Sequence, residues 1–396
     1  MDNHFPVDAN QATAVAITGS GGSGAVTAGL ILLAAVARAG YYGLLTRSAG
    51  PQIRGGESAA MVRFGRQPIA CMGDRFDAMV ALDWNNISRF SDEIPIDAAS
   101  LVLADPAGGP IPESVARSGA RVLEVPFQVQ AKLLPEGRVN MVALGALGAA
   151  IGLPLAALEA GVEHTLGGKA KAAALVETSI AGLRLGYGPS AQTSVPLPPR
   201  TAELWNLSGN EAAGLGALRG GLRFVAAYPI TPATELLEWL APRLERLGGA
   251  LLQAEDELAS VNMIIGSSFG GVPSLTATSG PGLSLMMEGI GLAVASETPV
   301  VVVDVQRGGP STGIPTKSEQ SDLNIAVYGL HGDAPHLVLA PLDIRDCVFT
   351  VQWAMRLAEH LQTAAVCLSD QALGQSRALC DAPVPFADDL PRATPS

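Results

Sequence analysis

The sequence predicts an α/β protein of two domains, the second of them doubly wound. With 396 residues, the chain is longer than one ordinary hydrophobic core accommodates. Short β-branched or apolar runs alternate with longer helical patterns, and a stretch rich in proline, serine and glycine separates two such series. Hydrophobic residues make up 48% of the chain against 16% charged residues, which is typical of a compact α/β fold.

The first domain is predicted over residues 1–186. Four strands are expected at 14–18, 77–83, 101–105 and 121–125, with a helix at 25–39. Strands separated by helical segments favour a mainly parallel sheet with helices on its faces. Residues 140–158 carry no charge over nearly the length of a bilayer span. Because Gly152 and Pro154 interrupt them, we expect buried helices rather than a membrane segment.

The predicted linker, 187–203, begins with YGPSAQTSVPLPP and lacks apolar periodicity. The second domain follows over 204–380. Its strands are expected at 223–227, 250–253, 274–278, 299–305, 336–340 and 364–368, and its helices at 233–247, 258–270, 282–295 and 344–361. This order predicts a doubly wound sheet whose ligands lie beyond the carboxyl ends of its strands. The tail, 381–396, is acidic and proline-rich, so we expect it to be poorly ordered.

Charge and cysteine usage argue against several classes of function. The formal net charge is −12, which disfavours binding to nucleic acid or to an anionic membrane. The four cysteines are scattered, with no Cys-x-x-Cys pair, so the sequence encodes neither a zinc site nor a complete iron–sulfur site. The amino terminus lacks the basic and apolar regions of a secretory signal, and we expect a cytoplasmic protein.

A glycine-rich turn, Gly19–Gly24, follows the first predicted strand and leads into the first helix. Backbone amides in such a turn can approach a phosphate. A dinucleotide fold also needs an acid at the end of its second strand, and Tyr41–Thr46 offers none. A nucleotide-binding dehydrogenase and tight packing of strand on helix both stay open. The polar segment Arg47–Ser58 is interpreted as a rigid surface loop that binds an anion or a subunit, or is only solvated.

Three polar residues stand where strands of the second domain are expected to end. Thr231 lies between Pro229 and Pro232, which restrict the backbone, so its hydroxyl either binds a carbonyl or carboxylate or caps a helix. Arg307 follows the predicted strand 299–305. Its planar guanidinium matches a carboxylate, either of the substrate or of a neighbouring acid.

Glu257 is the last of three consecutive acids at the start of a predicted helix. The helix dipole favours acids in a first turn, which is the structural explanation. A carboxyl in an apolar pocket can also share a proton with a ring nitrogen of a ligand.

The chain resembles 2-oxoacid:ferredoxin oxidoreductases in which a γ domain precedes the α domain. The resemblance to the γ domain rests on ITGSGGSGAVTAGLIL, TRSAGPQIRGGES and NMVALGAL. The resemblance to the α domain rests on YPITPATE, QAEDELASVNMIIGSSFGG, TATSGPGLSLMMEGIG, VQRGGPSTGIPTKSEQSDL and LSDQALGQSR. It implies a γ-type α/β domain followed by a doubly wound, thiamine-diphosphate pyrimidine-binding domain.

The resemblance also implies roles for single residues. Glu257 is the expected carboxylate that activates the aminopyrimidine, and Thr231 is expected beside both cofactor and substrate. Arg307 is expected to bind the substrate carboxylate. Three further substrate-binding candidates lie in the following loop: Ser311, Thr312 and Lys317. The domain order and the PTKSEQ loop are more similar to 2-oxoglutarate-type than to pyruvate-type enzymes.

By the same resemblance, this chain holds half of an active site. The Gly-Asp-Gly loop that binds the diphosphate is missing, because Gly332-Asp333 is followed by Ala334. A β subunit is expected to carry that loop, Mg²⁺ and an iron–sulfur cluster, in an α₂β₂ heterotetramer that also uses coenzyme A.

Two further expectations concern the rest of the enzyme. Electrons are expected to reach ferredoxin, or NAD through a further flavin subunit. A third α/β domain, usual in fused relatives, is expected to be naturally absent or supplied by another chain. A non-catalytic scaffold is the other alternative, against which the intact Thr231, Glu257 and Arg307 argue.

Overall fold

A computed structural model gives the structure of the chain and describes residues 12–50, 55–89, 92–168, 172–188, 204–385 and 390. The chain divides into two compact units. Unit 1 comprises Met1–Asn206 and Ala378–Ala382, and unit 2 comprises Leu207–Arg377 and Pro383–Ser396. Most of the predicted linker and most of the predicted tail lie outside the described residues, so both stay predictions.

The described residues form strands and α-helices that are numbered separately along the chain. The strands are β1 Thr13–Ser20, β2 Tyr42–Ala49, β3 Glu57–Gly65, β4 Ala78–Ala81, β5 Leu101–Ala104, β6 Arg121–Glu124, β7 Trp205–Ser208, β8 Phe224–Ala227, β9 Ala250–Gln253, β10 Ser274–Thr278, β11 Val300–Gln306, β12 Leu337–Leu339, β13 Ala364–Asp370 and β14 Arg377–Cys380. The helices are α1 Ala25–Arg38, α2 Glu113–Ser118, α3 Phe127–Ala131, α4 Val139–Ala150, α5 Leu155–Leu166, α6 Ala172–Tyr187, α7 Gly209–Arg219, α8 Thr234–Arg246, α9 Glu257–Phe269, α10 Gly280–Ala295, α11 Leu323–Tyr328, α12 Asp346–Leu361 and α13 Gln371–Gln375.

The first sheet has eight strands in the order β6-β5-β4-β1-β3-β2-β14-β7. β1, β4, β5 and β6 pair in parallel. β3 runs antiparallel to both β1 and β2. The prediction of a mainly parallel sheet is therefore correct from β6 to β1 and misses the β2–β3 hairpin.

The hairpin also corrects the interpretation of 47–58 as a surface loop. β2 continues to Ala49 and β3 begins at Glu57. Ser48 and Glu57 are buried, and Arg89 forms an ion pair with the Glu57 carboxylate at 2.6 Å. Polar residues at strand ends resemble loop residues in sequence, because burial in the tertiary structure is what distinguishes them.

The sheet of unit 1 has a core on each face. Helices α1, α4, α5 and α6 contribute to one core, where Ile31 and Leu144 are fully buried. A smaller core on the other face includes Phe76 and Met79. The uncharged stretch 140–158 forms most of α4 and the start of α5, and nearly all of α4 is buried, as predicted. Among the described residues, no helix has the length and apolar character needed to span a bilayer.

The sheet of unit 2 is parallel throughout, with the order β12-β13-β11-β10-β8-β9. The chain steps from β8 outward to β9 and then returns to β10 on the other side of β8. The strand order therefore reverses between β8 and β10, where doubly wound folds bind their ligands. Every strand and helix predicted for this unit begins and ends within two residues of its observed bounds.

Helices cover both faces of this sheet. α9 and α10 lie on one face, where Val261, Ile290 and Val302 are buried. α7, α8 and α12 pack together on the other face. The sequence prediction omits α7, although its start carries a signal: Ser208 and Glu211 form a reciprocal capping box, and their spacing is typical of a helix amino terminus.

Candidate active site

Four segments meet at the carboxyl edge of the unit 2 sheet, because its strands all run in the same direction. They follow β8, β9, β10 and β11, and they flank the reversal of strand order between β8 and β10. The segments after β8, β9 and β11 carry the predicted site residues, which are Thr231, Glu257, Arg307, Ser311, Thr312 and Lys317.

Glu257 is the first residue of α9. Asp256 caps this helix, since its carboxylate accepts a hydrogen bond from the Ala259 amide at 2.7 Å. The Glu257 side chain is buried, at 7% exposure. Among the described residues, none donates a hydrogen bond to the Glu257 carboxylate. Because buried polar groups nearly always have a partner, this carboxylate is suited to a donor from outside the chain.

Gly282 creates the space that Glu257 occupies. α10 begins with Gly280-Pro281-Gly282, directly after β10. A Cβ atom at position 282 would lie 2.6 Å from Glu257 Cγ and would also overlap the Thr278 hydroxyl. Glycine is therefore required here if Glu257 is to keep its place. Sequence reasoning missed this role, although a Gly-Pro-Gly turn after a buried strand was a visible signal.

Thr231 is held through its backbone. Its carbonyl oxygen accepts a hydrogen bond from Arg307 Nη1 at 2.6 Å. The carbonyl of the next residue, Pro232, accepts one from Asn210 Nδ2 at 3.0 Å. Thr231 itself is exposed, and α8 begins at Thr234 without a side-chain cap. The helix-cap explanation for the Thr231 hydroxyl is therefore wrong.

Arg307 directly follows β11 and is buried, at 8% exposure. Its guanidinium donates to the carbonyl oxygens of Thr231 and Thr312, so it ties the segment after β8 to the loop after β11. Burial lowers the pKa of Arg307 from its ordinary value, and the Glu257 carboxylate opposes this by raising it. Since arginine ionises far above neutral pH, the group keeps its positive charge. The two predicted charged residues therefore act on each other.

The loop after Arg307 is compact. The Gly308 amide donates to the Lys317 carbonyl at 2.8 Å. Ser311 and Thr312 lie at the exposed tip, and Ser311 adopts a positive φ of 61°, which is uncommon for a residue with a side chain. The structure thus places these three residues in one loop beside Arg307. Their role in substrate binding stays a prediction.

Two carboxyl groups at the same edge, one buried and one half-buried, escaped the sequence prediction. Asp304 lies within β11, and Asp322 follows the loop that Arg307 begins. Burial, and next the negative charge of Asp322, raise the pKa of Asp304 well above its usual range. The pKa of Asp322 is also raised, mainly by burial. The signal was a carboxylate inside the otherwise apolar run VVVVDV.

The glycine-rich turn of unit 1 is filled by its own chain. The amide and the hydroxyl of Ser20 donate to the Asp83 carboxylate at 2.9 and 3.0 Å. A carboxylate at this position repels a phosphate. In addition, β2 does not neighbour β1, as the second strand of a dinucleotide-binding unit would. The structure favours tight packing as the explanation of Gly19–Gly24.

Side chains that ligate metals are dispersed in the described residues. No group of three or more His, Cys, Asp or Glu side chains there is arranged to hold a metal ion. The four cysteines are free thiols, of which Cys71 is exposed and the others are buried.

Two family models match the chain. The model described as pyruvate ferredoxin/flavodoxin oxidoreductase matches residues 14–188. The model described as pyruvate flavodoxin/ferredoxin oxidoreductase, thiamine diphosphate-binding, matches residues 215–384. The second match contains all of the predicted site residues.

Curated relatives match one or both units. The 2-oxoglutarate synthase subunit KorA of Archaeoglobus fulgidus is 46% identical over 175 residues, which are 44% of this chain and 51% of that protein. The 2-oxoglutarate oxidoreductase subunit KorA of Mycobacterium tuberculosis is 32% identical over 351 residues, which are 80% of this chain and 53% of that protein. The chain spans about half the length of these relatives.

A solved structure matches nearly the whole chain. It is the 2-oxoglutarate:ferredoxin oxidoreductase from Magnetococcus marinus with 2-oxoglutarate, coenzyme A and succinyl-CoA bound. The match has a TM-score of 0.87 and 37% sequence identity, and it covers 97% of this chain and 68% of that chain.

Proposed function

The chain belongs to the 2-oxoacid:ferredoxin oxidoreductase family, and we propose that it is the subunit that binds the pyrimidine half of thiamine diphosphate. In the assembled enzyme, a 2-oxoacid and coenzyme A give an acyl-CoA, carbon dioxide and two electrons for an acceptor. The main support for the proposal is the environment of Glu257. It is a buried carboxylate without a donor among the described residues, at the reversal of strand order.

The residues at this edge fit an aminopyrimidine ring. A protonated ring nitrogen would supply the donor that the Glu257 carboxylate lacks within the described chain. Gly282 and Thr278 fix the position of that carboxylate from the other side. When bound, thiamine diphosphate supplies a carbon nucleophile and an electron sink for the loss of carbon dioxide.

Each residue of this chain then has a defined task. Glu257 holds a proton against the ring nitrogen. Arg307 places a fixed positive charge at the same edge, and each of its terminal nitrogens keeps a second N–H for the substrate carboxylate. Thr231 lies beside that guanidinium, to which its carbonyl is bonded.

We favour 2-oxoglutarate as the substrate. The relatives from Archaeoglobus fulgidus and Mycobacterium tuberculosis are named for 2-oxoglutarate, and the structure from Magnetococcus marinus contains it. A second carboxylate on the substrate calls for further donors or another cation beside Arg307. Ser311, Thr312 and Lys317 lie in the loop that would provide them.

A β subunit is proposed to cover the outer surface of α9 and α10. Apolar side chains are exposed on both helices, Leu258 and Phe269 on α9 and Leu285 and Leu292 on α10. Phe269 is 78% exposed, which is unusual for an aromatic residue in a helix without a partner. Because Glu257 begins α9, a subunit on this surface would also reach the cofactor.

A glycine in α9 supports the same docking surface. A Cβ atom at Gly266 would meet nothing within 4 Å, so packing among the described residues does not require a glycine there. Glycine in a helix costs about 0.5–1 kcal/mol relative to alanine. Close approach by another chain explains why it is tolerated.

The other components of the enzyme are proposals from the family. The β subunit would hold Mg²⁺, the diphosphate-binding loop and the iron–sulfur cluster, and ferredoxin would accept the electrons, with NAD through a flavin subunit as the alternative. The longer relatives contain sequence beyond the part matched here, and a third α/β domain would belong to it.

The decisive experiment uses the complex purified with its partner subunits. Reduction of a viologen dye is measured with 2-oxoglutarate, pyruvate and other 2-oxoacids in the presence of coenzyme A. Glu257→Gln keeps the size of the side chain but removes the carboxylate, so we expect kcat to fall by roughly 10²- to 10⁴-fold. The matched control is Glu255→Gln, an exposed acid in the same segment, which should keep full activity.

Two results would contradict the proposal. One is full activity in Glu257→Gln, which would remove the role of this carboxylate. The other is a purified, active complex that contains no thiamine diphosphate.

The docking surface has its own test. Gly266→Leu adds a bulky side chain to the surface of α9, and we expect it to weaken capture of the β subunit in a pull-down assay. Glu238→Leu adds the same side chain to an exposed position of α8, on the opposite face of the sheet, and should leave capture unchanged. Equal capture by both variants would place the β subunit elsewhere.

A further inference from the structure

Asp304 is a charged residue type inside an apolar strand. Every residue of β11 is buried, and Asp304 has no solvent exposure. It lies in register beside Thr278 of β10 and Leu368 of β13. Neither neighbour neutralises a carboxylate, and an uncompensated buried charge is costly. This carboxyl therefore needs a proton, and the proton needs an acceptor.

The carboxyl of Asp322 lies at the same place: its amide donates to the side chain of Gln306, two residues beyond Asp304, and its Oδ2 lies beside Gly280, two residues beyond Thr278. Within the described residues, no donor reaches either oxygen of Asp304 or Oδ2 of Asp322. Two ionised carboxylates cannot donate to each other, but a protonated carboxyl donates an O–H bond to an ionised one. Burial and the neighbouring negative charge, which raise the pKa of Asp304, favour the protonated form there. One proton shared between the two carboxyls therefore gives a hydrogen bond, whereas two ionised carboxylates would repel each other.

The position of Asp322 connects this pair to the proposed active site. Asp322 ends the segment that Arg307 begins, and its amide donates to the Gln306 side chain at 2.9 Å. A Cβ atom at Gly280 would lie 2.6 Å from Asp322 Oδ2. Two residues further along α10, Gly282 has the same relation to Glu257. The Gly280–Gly282 turn therefore lies against Asp322 at its first residue and against Glu257 at its third.

We infer that Asp304 and Asp322 share one proton and that this carboxyl pair positions the Arg307 loop and the Gly280–Gly282 turn for the reaction. The inference rests on the proposed function only for the reaction that is measured. Both aspartates act through the loop and the turn, so they are positioning residues rather than catalytic ones.

The pair makes this edge sensitive to pH in a defined direction. Asp322 is the titratable group that acts on Asp304, and Glu319 acts on Asp322. The folded-state pKa values of both aspartates are raised above those of the unfolded chain. Their contribution to stability is therefore present at low pH and is lost as the pH rises through the raised values.

The test compares two substitutions in the assembled enzyme. Asp304→Asn offers an amide N–H to Asp322 without a titrating proton, so we expect it to keep at least half of the wild-type kcat and to stay active at higher pH. Asp304→Leu keeps the number and branching of the side-chain heavy atoms but offers no donor. We expect its kcat to fall roughly tenfold or more, because the loop and turn lose their fixed positions. Asp333→Asn, an exposed aspartate outside the site, is the control and should match the wild type.

If Asp304→Leu does not fold, two variants of the half-buried Asp322 provide a second comparison. Asp322→Ala should lose activity as described for Asp304→Leu, whereas Asp322→Asn, which still accepts a hydrogen bond from Asp304, should keep it. Wild-type activity in the leucine or alanine variant would overturn the inference. So would equal losses in the asparagine variants and their apolar counterparts.

A spectroscopic measurement separates the pair from the proposed function. At neutral pH the infrared spectrum of the wild-type protein should contain the C=O stretching band of a buried, protonated carboxylic acid, and Asp304→Asn should lack it. This band needs no turnover, so it reports on the pair even if Glu257→Gln leaves the activity intact. Identical carboxylic acid bands in wild type and Asp304→Asn would overturn the shared proton.

Discussion

The two units each contain a glycine-rich turn from a strand into a helix, and the turns differ in what fills the space beside them. In unit 1, Asp83 occupies the turn Gly19–Gly24 and accepts hydrogen bonds from the amide and the hydroxyl of Ser20. In unit 2, Glu257 lies against the turn Gly280–Gly282 and has no donor among the described residues. The first turn donates hydrogen bonds to a carboxylate of its own chain, whereas the second lies against a buried carboxylate for which the described residues supply no donor.

This difference shows why a glycine pattern alone does not identify a site. Glycine permits close approach, but the approaching group can be a ligand or another part of the same chain. At Gly24, the approaching group is the side chain of Asn140, whose Nδ2 donates to the Gly24 carbonyl at 3.1 Å. The turn that looks more like a phosphate cradle in sequence is thus the structural one.

Among the substitutions at these two turns, Gly282→Ala is expected to have the largest effect. The added methyl group would lie 2.6 Å from Glu257 Cγ and displace the carboxylate. Since a misplacement of about 1 Å can cost on the order of 10²-fold in rate, we expect a loss of that size in kcat of the assembled enzyme. Gly168→Ala, in unit 1, has open space for its methyl group and should keep near-normal activity. Similar activities of the two variants would contradict the role of Gly282 in making space for Glu257.

A smaller effect, on stability alone, is expected from Asp83→Ala. The substitution removes three hydrogen bonds, from the amide and hydroxyl of Ser20 and from the Asn85 amide. At about 0.5–1.5 kcal/mol each, the free energy of unfolding should fall by roughly 2–4 kcal/mol in a urea titration. The specific activity of the folded, assembled enzyme should not change. The assignment would be contradicted if the wild-type protein bound NADH and Asp83→Ala bound it more tightly.

The smallest effect is expected from Gly22→Ala. Gly22 has a φ of 97°, and an added Cβ atom would meet nothing within 4 Å. The cost is therefore the backbone strain of a left-handed alanine, about 1–2 kcal/mol in the free energy of unfolding. If an anion were bound at this turn, the methyl group would instead interfere with the ligand. A change in kcat without a change in stability would therefore count against a structural turn.

The unit 2 fold was predictable because its sequence pattern is local. Its buried parallel strands are apolar runs separated by long helical patterns, so each element is visible in a short window. The β2–β3 hairpin was less visible, because Ser48 and Glu57 are polar residues that only the tertiary structure buries. Likewise, β14 joins the sheet of unit 1 from the far end of the chain, and no local pattern indicates that pairing.

The features of the proposed site also divide into those visible in the sequence and those that depend on the fold. Thr231, Glu257 and Arg307 were identifiable as polar residues at strand ends, since parallel strands place those ends at one edge. Sequence patterns therefore sufficed to predict the fold class, the edge proposed to bind ligands and the residue types gathered there. Only the folded chain shows that Arg307 binds two backbone carbonyls, that Gly282 makes space for Glu257, and that Asp322 lies against Gly280. The physical reason is that hydrogen bonds, steric contacts and shared protons depend on distances between side chains far apart in the chain.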